Sequence, residues 1–167
     1  QATFAWSSSV GEVAIAGSAN PLCRRSDFST RFSVNIVVEA DGSLFSGRAA
    51  KAFSLPQDEF LKTVDLEDVA REAFRRALLL SQAKPCPASA MPVVLAGKAG
   101  GTMVHEACGH SLEADIVLKD HSSFRDSLGK RIASSLVTLV DDPTLFGLYG
   151  SYPFDDEGTP SRRTALI

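Results

Sequence analysis

Long apolar runs are missing from this chain: nowhere does it hold the roughly 18 consecutive apolar residues that a membrane-crossing helix needs. Cysteine is scarce. The three present, Cys23, Cys86 and Cys108, are odd in number and widely spaced, which argues against a disulfide framework and for a reducing, cytoplasmic setting. A strong charge of one sign is missing too, since 17 Lys and Arg against 20 Asp and Glu leave a net charge of −3. The arginine pairs Arg24-Arg25, Arg75-Arg76 and Arg162-Arg163 are scattered, so they form no stripe for nucleic acid and read as surface solvation. The chain starts at Gln1 without a charged-then-apolar leader and stops at Ile167 inside a strand-like stretch, and so reads as a piece of a longer protein. What remains is ordinary for a soluble globular domain: 167 residues, 44% hydrophobic and 22% charged. No partner among nucleic acids or membranes is expected.

Several catalytic templates are also missing. Residues 97–102 are rich in glycine, but Lys98 precedes the paired Gly100-Gly101 and no G-K-[ST] follows, so this is no phosphate loop. There is no G-x-S-x-G elbow for a serine hydrolase. Cys108 and His110 lie two apart, a spacing at which helical side chains do not face each other.

The elements that are present predict an α+β fold: an antiparallel sheet with a few packed helices. Residues 10–16 can form a short strand. Along 31–39, Phe32, Val34, Ile36 and Val38 alternate with polar neighbours, and Asp41-Gly42 is a hairpin signal into 43–49. The clearest helix covers 66–81, with Leu66, Val69, Ala70, Ala73, Phe74, Ala77 and Leu80 as its apolar stripe and Asp65 as N-cap. Glu67 with Arg71, and Glu72 with Arg76, are favourable four-apart pairs on its outer face. The proline-punctuated stretch 84–89 divides a sheet-helix portion, 1–84, from a motif-bearing portion, 85–167. In the second portion, 92–96 and 132–140 read as strands, Thr102 as the N-cap of a helix beginning at Met103, and 118–130 as a polar surface loop. The carboxylate-rich 155–158 reads either as a solvated turn or as a loop serving the site.

Residues 101–115 read G-T-M-V-H-E-A-C-G-H-S-L-E-A-D and hold two of the three histidines. Two imidazoles beside a carboxylate can hold a divalent cation and act on water. The familiar peptidase pattern places its histidines four apart on one helix face. Here the interval is five, which on a straight helix turns the second ring by roughly 140° from the first, against about 40° for four. A shared ion therefore requires the helix to open into a π turn or to break, and Gly109 is the residue type that tolerates this. Spacing alone leaves two readings open: a metal site on a distorted helix, or two histidines that merely lie close in sequence.

The motif at 101–115 closely resembles that of the TldD branch of the TldD/PmbA metallopeptidases, H-E-x-x-x-H. Further similar segments follow in the same order: S-S-L-V-T-L-V-D-D at 134–142, then D-D-E-G-T-P at 155–160 leading into R-T-A-L-I at 163–167. The resemblance is strong over 92–167 and pattern-level before that. It implies that His105 and His110 are zinc ligands and Glu106 the catalytic general base. It also implies a third ligand from a cysteine far downstream, beyond this chain, so that 85–167 is a metallopeptidase domain truncated at its C-terminal end. Cys108 reads as a small apolar residue beneath the helix; His121, Glu113 and Asp115 are weaker local alternatives as ligands.

The function expected from this resemblance is zinc-dependent cleavage of small or unfolded polypeptides, such as modified-peptide precursors or labile antitoxins, with a PmbA-like subunit or a second copy as partner. The alternative is a non-catalytic interaction domain or partner subunit that binds no metal in this form.

Overall fold

The structure is a computed structural model and describes residues 1–18 and 21–167. It forms two compact units. One comprises Gln1–Pro85 with Val140–Leu166, the other Cys86–Leu139 with Ile167. The first unit thus takes up the segment from Val140 as well, so the units are not the two consecutive portions 1–84 and 85–167.

The first unit is built on an antiparallel meander of β1 (Ala2–Ile15), β2 (Cys23–Ala40) and β3 (Ser43–Phe53), in that order across the sheet. The turn between β2 and β3 uses Asp41 at φ 49 and Gly42 at φ 74, the left-handed pair that the Asp-Gly signal calls for. Alternation along β2 sends Thr30, Phe32 and Val34 to one buried face. Toward the hairpin end, small residues of β3 stand opposite β2, Ala49 against Val34 and Gly47 against Ile36. That combination leaves room for a helix to lie close on the sheet.

Helix α2 (Leu66–Gln82) occupies that room, burying Val69, Ala73 and Ala77. Asp65 caps it as expected, accepting from the backbone N–H groups of Glu67 and Asp68. Both expected ion pairs form on its outer face, Arg71–Glu67 and Arg76–Glu72, each at 2.6 Å. A shorter helix, α1 (Gln57–Thr63), plugs the core with Phe60, which is fully buried and meets the rings of Trp6 and Phe53 edge-on. Burial of these apolar side chains, rather than surface pairing, holds the unit together. Thr30, also fully buried, satisfies its hydroxyl by donating to the Leu55 carbonyl at 2.8 Å.

The α+β expectation holds: the described residues form an antiparallel sheet, four α-helices and a distorted helix bearing the histidines. Individual elements differ. Strand β1 begins at Ala2 rather than Val10 because its serine-rich first half pairs residue for residue with β2, a partner that local sequence does not reveal. Helix α1 is an addition to the expected elements; Pro56 followed by Asp58-Glu59 and then Lys62 is the charge order of a helix start and stop. The two strands expected at 92–96 and 132–140 do not form as such. Residues 92–96 form no strand, and only Val140–Asp141 (β4) pairs, with Thr164–Ala165 (β5). Val94 and Leu136 are almost fully exposed, and an apolar run without a neighbouring strand gains no ladder.

Candidate metal centre

In the second unit, helix α3 (Gly97–Val104) begins at Gly97 with Ala96 as its cap, six residues before the expected cap Thr102. The Ala96 carbonyl accepts from Ala99 and Gly100, starting the helix early. Thr102 sits inside it and turns its hydroxyl back onto the Lys98 carbonyl at 3.3 Å.

The helix then changes pitch. Residues His105–Gly109 form a π turn, closed by the His110 N–H donating to the His105 carbonyl. His110–Leu112 tighten into a 3-10 turn, Glu113 is extended at φ −63, ψ 136, and α4 (Ala114–Leu118) follows. The π turn answers the spacing problem. Its five-residue closure carries the chain once round in the interval between the histidines, so a pair that a straight helix would splay lands side by side. The ring centroids of His105 and His110 are 4.4 Å apart with planes at 70°.

Glu106 joins them. Its Oε2 lies 3.8 Å from His110 Nε2, and one ligand atom from each of His105, Glu106 and His110 falls within 4.8 Å of the other two. All three side chains are exposed. Among the described residues no other set of three His, Cys, Asp or Glu donors converges in this way. Two imidazoles and a carboxylate suit a borderline-soft divalent cation of the zinc kind, so the donor set fits a metal.

The remaining candidates fall outside this group. Cys108 is half-buried, with a free thiol. Asp115 is held by Lys119 at 3.1 Å, and that ammonium keeps its carboxyl below the usual range. Glu113 has a different task, accepting from His110 Nδ1 at 2.8 Å. From sequence Glu113 is a candidate ligand only, and its place three residues after His110 is the signal for this contact. Gly109 also departs from expectation. It adopts ordinary right-handed helical angles, φ −55 and ψ −57, so the turn does not draw on the freedom of glycine. In the first unit, Asp155 closes a turn by accepting from the N–H groups of Glu157 and Thr159, and the Thr159 N–H above all holds its carboxyl below the usual range.

Residues 88–167 match the family described as PmbA/TldA metallopeptidase C-terminal domain. A metalloprotease of Methanocaldococcus jannaschii is 40% identical over 137 residues, covering 80% of this chain and 29% of that protein. Metalloprotease TldD homologs of Buchnera aphidicola and Haemophilus influenzae are 38% and 39% identical over 83% and 82% of the chain.

The chain belongs to the TldD/PmbA family.

It spans 29% to 30% of the length of these TldD/PmbA relatives. The architecture has a solved counterpart as well. A crystal structure of a Bacteroides thetaiotaomicron protein, proposed there as a modulator of DNA gyrase, superposes with a TM-score of 0.68 over 90% of this chain and 33% of its own. Identity in that pair is 18%, so the likeness speaks for architecture alone. No helix among the described residues of this TldD/PmbA chain is long and apolar enough to cross a membrane.

Proposed function

We propose that this chain carries the metal-binding heart of a zinc-dependent peptidase that cleaves small or unfolded polypeptides. The observation that carries the reading is the π turn, which brings two imidazoles five residues apart to 4.4 Å with Glu106 beside them. The names of the relatives, metalloproteases in three separate organisms, support the same chemistry. Its cytoplasmic placement is part of the proposal and rests on three free thiols.

His105 and His110 would hold the ion through ring nitrogens, with a third protein ligand from outside these 167 residues. When bound, zinc supplies Lewis acidity, polarising the scissile carbonyl and making water acidic enough to lose a proton near neutral pH. Glu106 takes that proton on a carboxylate oxygen as general base and hands it to the departing amine nitrogen as general acid. Its exposure leaves it open to solvent and to a peptide. The partner is a PmbA-like subunit or a second copy of the chain.

The test is zinc analysis and peptidase assay on this chain and on a form extended to the length of its relatives. Zinc uptake and cleavage of an unfolded polypeptide by the longer form are expected. Neither property in either form would overturn the proposal and favour an interaction domain without metal.

A further inference from the structure

We infer that Glu113 is the residue that aims His110, acting on the site through the imidazole rather than by binding a cation itself. This rests on the proposed reading of His105 and His110 as ligands. Glu113 Oε1 lies 2.8 Å from His110 Nδ1, whereas the nearest Glu106 oxygen, at 3.8 Å from Nε2, is beyond hydrogen-bond reach. Among the described residues, then, only one of the two ring nitrogens has a hydrogen-bond partner.

The consequence is chemical. A neutral imidazole carries one proton, and an ionised carboxylate can only accept, so Glu113 draws that proton to Nδ1. Nε2 is left with its lone pair, and it is the nitrogen that faces Glu106. A ring with the other tautomer would present an N–H there and could not ligate.

The backbone explains why Glu113 is the residue so placed. After the π turn the chain tightens to a 3-10 turn over His110–Leu112, a geometry in which side chains three apart eclipse. The change of pitch therefore does two things: the wide turn brings His105 and His110 together, and the tight one stacks Glu113 over His110. Asp115, the next carboxylate, is tied to Lys119 and does not compete for the ring.

The test uses the protein extended to the length of its relatives, its Glu113→Gln and Glu113→Ala variants, and His105→Ala as a reference. Nitrogen NMR on metal-free protein, at a pH where the ring is neutral, reads the His110 tautomer; competition with a chelating dye reads zinc affinity. We expect Nδ1–H in the wild type and a shift toward Nε2–H in Glu113→Ala, with zinc held about tenfold to a hundredfold more weakly. Glu113→Gln, whose amide carbonyl still accepts from Nδ1–H, keeps the tautomer and recovers most of the affinity. Glu113 is half-exposed, and circular dichroism checks that both variants fold. Wild-type tautomer and wild-type affinity in Glu113→Ala would overturn the inference, as would weaker zinc binding with the tautomer unchanged. A wild-type chain that takes up no more zinc than His105→Ala would instead overturn the metal site, and the aiming role with it. That outcome is told apart because the wild type itself, not the Glu113 variants, then fails.

Discussion

The backbone N–H of His110 donates to the carbonyl of His105, five residues back, and the two rings that follow from this bond stand 4.4 Å apart. Local pitch, rather than a special residue, makes the pair converge. Gly109, the residue most suited to a distortion, holds ordinary helical angles, and a Cβ added there would meet the His105 ring at 3.8 Å, a normal contact. Gly109→Ala should therefore leave zinc affinity unchanged and stabilise the fold by about 0.5–1 kcal/mol by reducing the freedom of the unfolded chain. Urea unfolding and zinc titration check this; loss of either property would mean that the turn needs glycine after all.

Glu106 adjoins both imidazoles, so its role as base and a role as ligand predict different outcomes. Glu106→Gln removes the basic oxygen but leaves the histidines in place. Under the proposed function the extended form of the protein keeps its zinc and loses roughly 10²–10⁴-fold in turnover. Parallel loss of zinc, read by elemental analysis, would make Glu106 a ligand.

How much of this was legible beforehand depends on where each element draws its stability. Helix α2 is written locally, with a capping Asp65, a stripe from Val69 to Ala77 and salt-bridged outer turns, and its expected limits, 66–81, lie within a residue of the observed ones. The hairpin at Asp41-Gly42 is equally local. Strand β1 is not. Its Ser7-Ser8-Ser9 stretch carries little β signal, and it is a strand because 14 residues find partners on β2. The reverse holds at 132–140, where apolar residues suggest a strand but only Val140 pairs. At the site, the five-residue interval called for a π turn or a break if the two rings are to share an ion. The following 3-10 turn, and with it the contact of Glu113 with His110, left no such trace, because a spacing of three suits several helical forms.

Gly47 marks the closest approach of sheet and helix. It lies on β3 beneath α2, and a Cβ placed there would overlap the Ala73 carbonyl and the Ala77 backbone. Backbone cannot swing aside as a flexible side chain can, so Gly47→Ala must push α2 off the sheet. We expect destabilisation of about 1–3 kcal/mol or more, seen as a lower urea midpoint. An unchanged midpoint would show that the helix–sheet packing is looser than described.

Glu72 binds two arginines on the outer face of α2, Arg75 at 2.8 Å and Arg76 at 2.6 Å. Their hydrogen bonds, that of Arg75 first, lower its carboxyl from the ordinary 4.5 to about 2. A carboxylate depressed by folding stabilises the folded state fully above the unfolded value and loses that contribution as pH falls through the folded one. The window is therefore pH 4.5 down to about 2. In Glu72→Gln the arginines lose their charged partner at every pH, so the wild type should be the more stable at neutral pH and the gap should close across that window. Because the pair is solvent-facing, added salt should narrow the gap as well. Urea midpoints of the two proteins, taken side by side at each pH, cancel the titration of groups they share. Equal midpoints at neutral pH, or a gap that stays undiminished down to pH 2, would show that a carboxyl lowered to about 2 by the arginines is not what stabilises the wild type.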